Sequence, residues 1–133
     1  MALSAQALAS RVRDELAAAG LPLAVPHMTV DERFRVGADV FVEEEDDVAY
    51  VFVAWRTHHA LADASSGALL RGDLAHRAVL HHGKACRAMR DAMAEVLGSA
   101  GFVVEHADDV NEYRPLELRI TSGPEPYVSP WGA

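Results

Sequence analysis

Seven histidines in 133 residues give a small chain a high density of imidazole, and five of them lie close together: His58 and His59, then His76, His81 and His82. Imidazole can act as a general base, a proton shuttle or a metal ligand. His82 stands four residues before Cys86, so on a helix both project from one face. A His/Cys pair at that spacing can supply two zinc ligands, with His58, His59 or an acidic side chain completing the set. Zinc sites ordinarily carry two such paired motifs, and here there is one. The plainer expectation is a core cysteine beside a histidine at the core edge, since a free thiol packs as a small hydrophobe. Cys86 can also be imagined as a nucleophile with His82 as its base. That chemistry needs an exposed thiol of lowered pKa, whereas the spacing puts Cys86 between His82 and Met89 on a buried stripe.

Trp55 and Arg56 end an apolar run and are followed by Thr57, His58 and His59. Strand ends are frequent places for a site. The candidate binding residues are therefore Trp55, His58, His59 and His82. The candidate metal ligands are His82 and Cys86, with zinc as the one cofactor to consider. No catalytic residue is nominated. The sequence holds no Gly-rich phosphate loop, GxSxG elbow, HExxH or CxxC.

A second group of chemistry-bearing residues is acidic. Glu43, Glu44, Glu45, Asp46 and Asp47 are consecutive. They lack the alternating spacing and central glycine of a calcium loop, so they read as a solvated turn or as a contact for a basic protein. Asp108, Asp109 and Glu112 form a second acidic group, and the two would make one negative rim if they met at the same end of a sheet. The whole chain has 12 Lys and Arg against 20 Asp and Glu, a formal charge of −8. Phosphate recognition needs a clustered excess of cations, so nucleic acid and anionic membrane surfaces are not expected partners. Basic proteins, small molecules and metal cations remain.

These residues must be positioned by an ordinary globular fold. Half the chain is hydrophobic and 24% is charged, at a length that suits one domain. One cysteine excludes an intrachain disulfide. The first twenty residues carry Arg11, Arg13, Asp14 and Glu15, and no 18-residue apolar run occurs, so the expected location is the cytoplasm.

Leu3, Leu8, Val12, Leu16 and Ala19 recur with helical spacing and predict an amphipathic helix over 3–19, with Ser4 as its N-cap. Gly20 suits a left-handed helix end, and Pro22 prevents continuation. A short strand is expected around 28–36. The clearest strand pair is 39–43 with 48–56, flanking the acidic turn; its second member is rich in β-branched and aromatic residues. Residues 57–72 are ambiguous. Asp73 reads as the N-cap of a long helix over about 74–99, with Ala75, Val79, His82, Cys86, Met89, Met93 and Val96 as its apolar stripe. Further strands are expected from Phe102 and over 115–121, with a turn at Asp108 to Asn111 between them.

The expected fold is α+β: an antiparallel sheet of four to five strands, with the N-terminal helix and the long central helix on one face. Residues 1–122 form the domain and 123–133 a flexible proline-rich tail. Ala49, Val51, Val53 and Trp55 then form an apolar second face without a cover, which makes Val51 and Val53 candidate partner-surface residues alongside Glu44, Glu45, Asp46 and Asp47. The helix–hairpin–helix–hairpin order has the arrangement of many small interaction domains, secretion chaperones and toxin-immunity proteins among them, an analogy that carries no residues across. The expected role is a non-catalytic protein-interaction or adaptor module, binding a basic protein or itself as a homodimer. The alternative is a small-molecule or metal-binding domain with a His/Cys pocket between the long helix and the sheet.

Overall fold

The computed structural model describes residues 3–109 and 114–127. Helix α1 spans Ala5–Ala18, and Ser4 Oγ accepts the Ala7 N–H at 3.1 Å. Gly20, at φ +92°, ends the helix, and the Leu21 N–H reaches back to the Leu16 carbonyl at 3.0 Å. The hairpin follows as β1 (Gly37–Glu45) and β2 (Val48–Arg56). Two further helices come next, α2 (His59–Leu70) and α3 (Arg77–Ala100), and then β3 (Val103–His106) and β4 (Leu118–Ser122). The four strands pair antiparallel in the order β1-β2-β4-β3.

Helices α1 and α3 lie on the same face of this sheet. Leu8, Val12 and Leu16 of α1 and Met93 and Leu97 of α3 close over Val40, Val51, Val53, Leu118 and Ile120. Each of these side chains loses nearly all contact with water, and burial of that kind stabilises by roughly 1.5–3 kcal/mol per large apolar side chain. Cys86 belongs to the buried stripe of α3, and burial pushes its thiol pKa up.

Three sequence expectations change. Val51 and Val53 are not an uncovered face: they are 1% and 0% exposed in the core. Strand alternation puts them on the helix side together with Val40, and the face turned away from the helices carries Phe41, Tyr50 and Phe52. Residues 28–36 form no strand. Pro26 has no N–H to give a ladder, Met28 takes a left-handed φ of +71°, and a single turn of 3-10 helix occupies Glu32–Phe34. Ahead of that segment, Leu23 makes an isolated parallel bridge to Ala38. It depends on Gly37 at φ +112°, where a Cβ would stand 2.5 Å from the Pro22 carbonyl oxygen.

The third change concerns 57–72, which is largely helical. Ser65 and Ala68 are buried in α2, and small residues let it lie close to α3, so packing overrides weak propensity. Histidine caps both of these helices: His58 Nδ1 accepts the Ala60 N–H and His76 Nδ1 the Ala78 N–H, each at 3.0 Å. Asp73, the expected cap of α3, lies three residues outside the helix cap.

Within the expected tail, Gly123 to Tyr127 runs along α1. Arg11 donates to the Pro124 carbonyl at 2.8 Å and the Tyr127 hydroxyl to Glu15 at 3.3 Å. Residues 128–133, part of the expected 108–111 turn, and Glu112 lie outside the described residues.

Candidate functional site

Opposite the helices, strand alternation presents Asp39, Phe41 and Glu43 from β1, Tyr50, Phe52, Ala54 and Arg56 from β2, Arg119 from β4 and Glu105 from β3. Phe52 is fully buried although no described helix packs on this side. Its cover is the Arg114 guanidinium, 3.7 Å above the ring, with Phe41 stacked at 5.8 Å. Arg114 is held there by ion pairs with Glu43, with Glu117 at 3.1 Å and with Glu45 at 3.6 Å. Burial pushes the Glu117 carboxyl up, and the charges of Glu43 and Asp39 add to this against the pull of Arg114. Arg119 repeats the motif in the next row, 4.5 Å above Tyr50 and 2.7 Å from Glu105. Guanidinium planes on aromatic faces are favourable and fix the cation's position.

At the far end of the same face Asp39, 3% exposed, receives Arg35 Nη2 and Arg56 Nε, each at 2.6 Å. Arg35 is itself buried; its Nε donates to the Val25 carbonyl at 2.9 Å and its Nη1 to Glu32 at 3.2 Å. Burial alone would push the Glu32 carboxyl up, but hydrogen bonds from Arg35 and His27 and the charges of Arg35 and Arg56 outweigh it and hold the group below the ordinary carboxylate range. Asp39 sits between Ala38 and Val40, a polar residue at an alternating strand position. That is the signal by which the sequence could have marked this buried cluster.

Beside the cluster a cleft of about 330 Å³ gathers three of the residues singled out from sequence: Trp55, His59 and His82, with Glu32, Arg33, Arg35, Arg56, Thr57 and Asp63. His58 does not line it; its ring caps α2 and stacks on His59 at 4.2 Å. Arg33 Nη2 lies 3.4 Å from Asp63, and Phe34 meets His59 edge-on at 5.5 Å. The Thr57 hydroxyl is buried without a hydrogen-bond partner among the described residues. His82 Nε2 is 3.8 Å from Cys86 Sγ, so the helical spacing does bring the pair together. Among the described residues, however, no group of three or more His, Cys, Asp or Glu side chains is placed to hold a metal ion.

The acidic turn is a two-residue connection, with Glu45 paired to Val48 and both Asp46 and Asp47 at positive φ, +52° and +66°. Glu44, Asp46 and Asp47 are exposed; Glu45 is half-buried beside Arg114. Asp108 and Asp109 follow His106, which pairs with Leu118 at the end of the sheet away from the hairpin turn, and Asp108 faces Arg90 at 3.7 Å, so these two acids do not join the acidic turn in one rim. No described helix is long and apolar enough to cross a membrane. Comparison with family models, with curated proteins and with solved structures found no match.

Proposed function

We propose that this chain is a cytoplasmic, non-catalytic interaction module that receives a basic protein partner along β1 and at the acidic turn. The observation that carries this reading is the asymmetry of the sheet. One face is sealed by α1 and α3, while the other has no described helix and holds the mostly buried Arg114 and Arg119 on aromatic rings beside Glu43, Glu117 and Glu105. Rigid charged groups cost little to order on binding, and complementary charge raises encounter rates and discriminates between partners. Exposed Glu44, Asp46 and Asp47 give β1 its negative end.

The alternative, a small-molecule site at Trp55, His59 and His82, has the cleft and the unpartnered Thr57 hydroxyl in its favour. It ranks second because Arg33, Arg35 and Arg56 are already answered by Asp63, Glu32 and Asp39. The test is affinity capture from the native cell with the wild type and with the triple variant Glu44→Lys, Asp46→Lys, Asp47→Lys. A partner held by the wild type and lost by the variant, with binding that weakens as salt rises, is the expected result. Equal capture by both refutes the acidic contact, and no capture together with saturable small-anion binding in the cleft reverses the ranking.

A further inference from the structure

We propose that the outer edge of β1, from Val40 to Glu44, is a strand-addition site for an extended basic segment of the partner; this rests on the interaction reading above and specifies how that partner is held. Ala38 uses both of its backbone groups outward: its N–H donates to the Pro22 carbonyl at 2.9 Å and its carbonyl accepts the Ala24 N–H at 2.8 Å. The register of β1 on β2 runs without a shift from Gly37 to Glu45. By strand alternation the backbone groups of Val40, Val42 and Glu44 therefore also face outward. The segment that covers Ala38 leaves the edge at once, because Arg35 takes the Val25 carbonyl and Pro26 has no N–H. Beyond that point, among the described residues, one contact remains, Arg13 Nη2 donating to the Val40 carbonyl at 2.8 Å. Arg13 stands where the N–H of another strand would stand. Among the described residues nothing bonds the outward N–H of Val40, Val42 or Glu44.

Proteins usually blunt such edges with short strands, bulges, proline or lysine. The opposite edge follows that rule, since β3 has four residues and a register shift at Val103/Val104. β1 has nine residues with no bulge, proline or lysine; its protections are the covering segment at Ala38, inward Asp39 and the acids Glu43 to Glu45. A groove of about 470 Å³ runs beside it, lined by Leu23 to His27, by Ala38 to Val42 and by Arg13 of α1. An entering strand gains main-chain hydrogen bonds from the edge and specificity from alternate side chains. Side chains on the helix side meet Val40, Val42 and Leu23, which favours apolar residues. Those on the other side meet Phe41 and Glu43 and run towards the acidic turn, which favours lysine or arginine. A second copy of β1 is a poor occupant: a two-fold at Val42 would set Asp39 against the copy's Glu45.

The probe is the blocked heptapeptide Lys-Val-Lys-Val-Lys-Val-Lys, titrated into the whole protein and followed by NMR. At saturation the amide exchange of Val40, Val42 and Glu44 should slow by roughly tenfold or more. Methylating the backbone nitrogens of the valines, or alternatively those of the lysines, should abolish binding in one case and spare it in the other, since a strand bonds through one edge at a time. Val42→Pro removes an outward N–H and no ladder bond, so it should keep the fold by circular dichroism and lose binding at least tenfold. The proposal is overturned if the peptide fails to bind at millimolar concentration or if both methylated forms bind like the parent. It is also overturned if binding shifts Tyr50, Arg56 and Arg119 while the three edge amides keep their free exchange rates; that last result would leave the broader interaction reading intact.

Discussion

Cys86 illustrates how burial decides what a side chain can do. It is 8% exposed, and burial pushes its thiol up, away from the thiolate that nucleophilic or metal chemistry requires. His82 at 3.8 Å does not reverse this, because a ligand pair without a third donor makes no closed site. Alkylation of the native protein by iodoacetamide at neutral pH should therefore run at least roughly tenfold slower than alkylation of the urea-unfolded chain. Equal rates would show an open thiol and would revive the chemistry set aside here. Asp39 and Arg35 make the converse case: a nearly dry acid and guanidinium lie within hydrogen-bond distance of each other, and each has a further partner. Removing one partner of such a pair leaves a buried charge unanswered and costs about 3–5 kcal/mol.

The β1–β2 hairpin shows strand pairing working against a difficult turn. Two-residue connections with both central residues at positive φ match the twist of the strands, and they favour Asn-Gly or Asp-Gly. Here the pair is Asp46-Asp47, with Glu45 before it and Val48 after it. Asp47→Gly relieves a left-handed side-chain conformation and removes one of several adjacent like charges, so it should raise stability by about 0.5–1 kcal/mol in urea unfolding. A loss of stability would show that the Asp47 side chain stabilises the turn. The hairpin itself was legible, because Val48 to Arg56 is dense in β-branched and aromatic residues between turn signals. So were α1, with Ser4 and Gly20 as its caps, and the buried position of Cys86 on α3. Helix α2 was not, since Ser65, Ser66 and Gly67 are weak helix formers that serve packing on α3. The 28–36 segment alternates in part like a strand, yet Met28 takes a left-handed φ of +71° and Glu32–Phe34 closes into a 3-10 turn. Of the candidate site, Trp55, His59 and His82 do converge. The Asp39 cluster and the Arg114–Phe52 stack were hidden, because each joins residues far apart in sequence.

At the scale of the whole molecule the sheet divides the chain into two unlike sides. The helix side supplies the core, with Val51 and Val53 inside it rather than on a partner surface. The other side holds its arginines on aromatic rings and ends in acids at one corner. Its rim along β1 carries a row of outward backbone groups that, among the described residues, are bonded only at Ala38 and, through Arg13, at Val40. Hydrogen exchange of the free protein tests most directly whether that rim is open. Phe41 and Glu43, whose amides point to β2, should exchange slowly, while Val42 and Glu44 should exchange near the rate of an unstructured chain. Protection at Val42 and Glu44 equal to that of Phe41 and Glu43 would mean the edge is already occupied, and would contradict a binding side built on it.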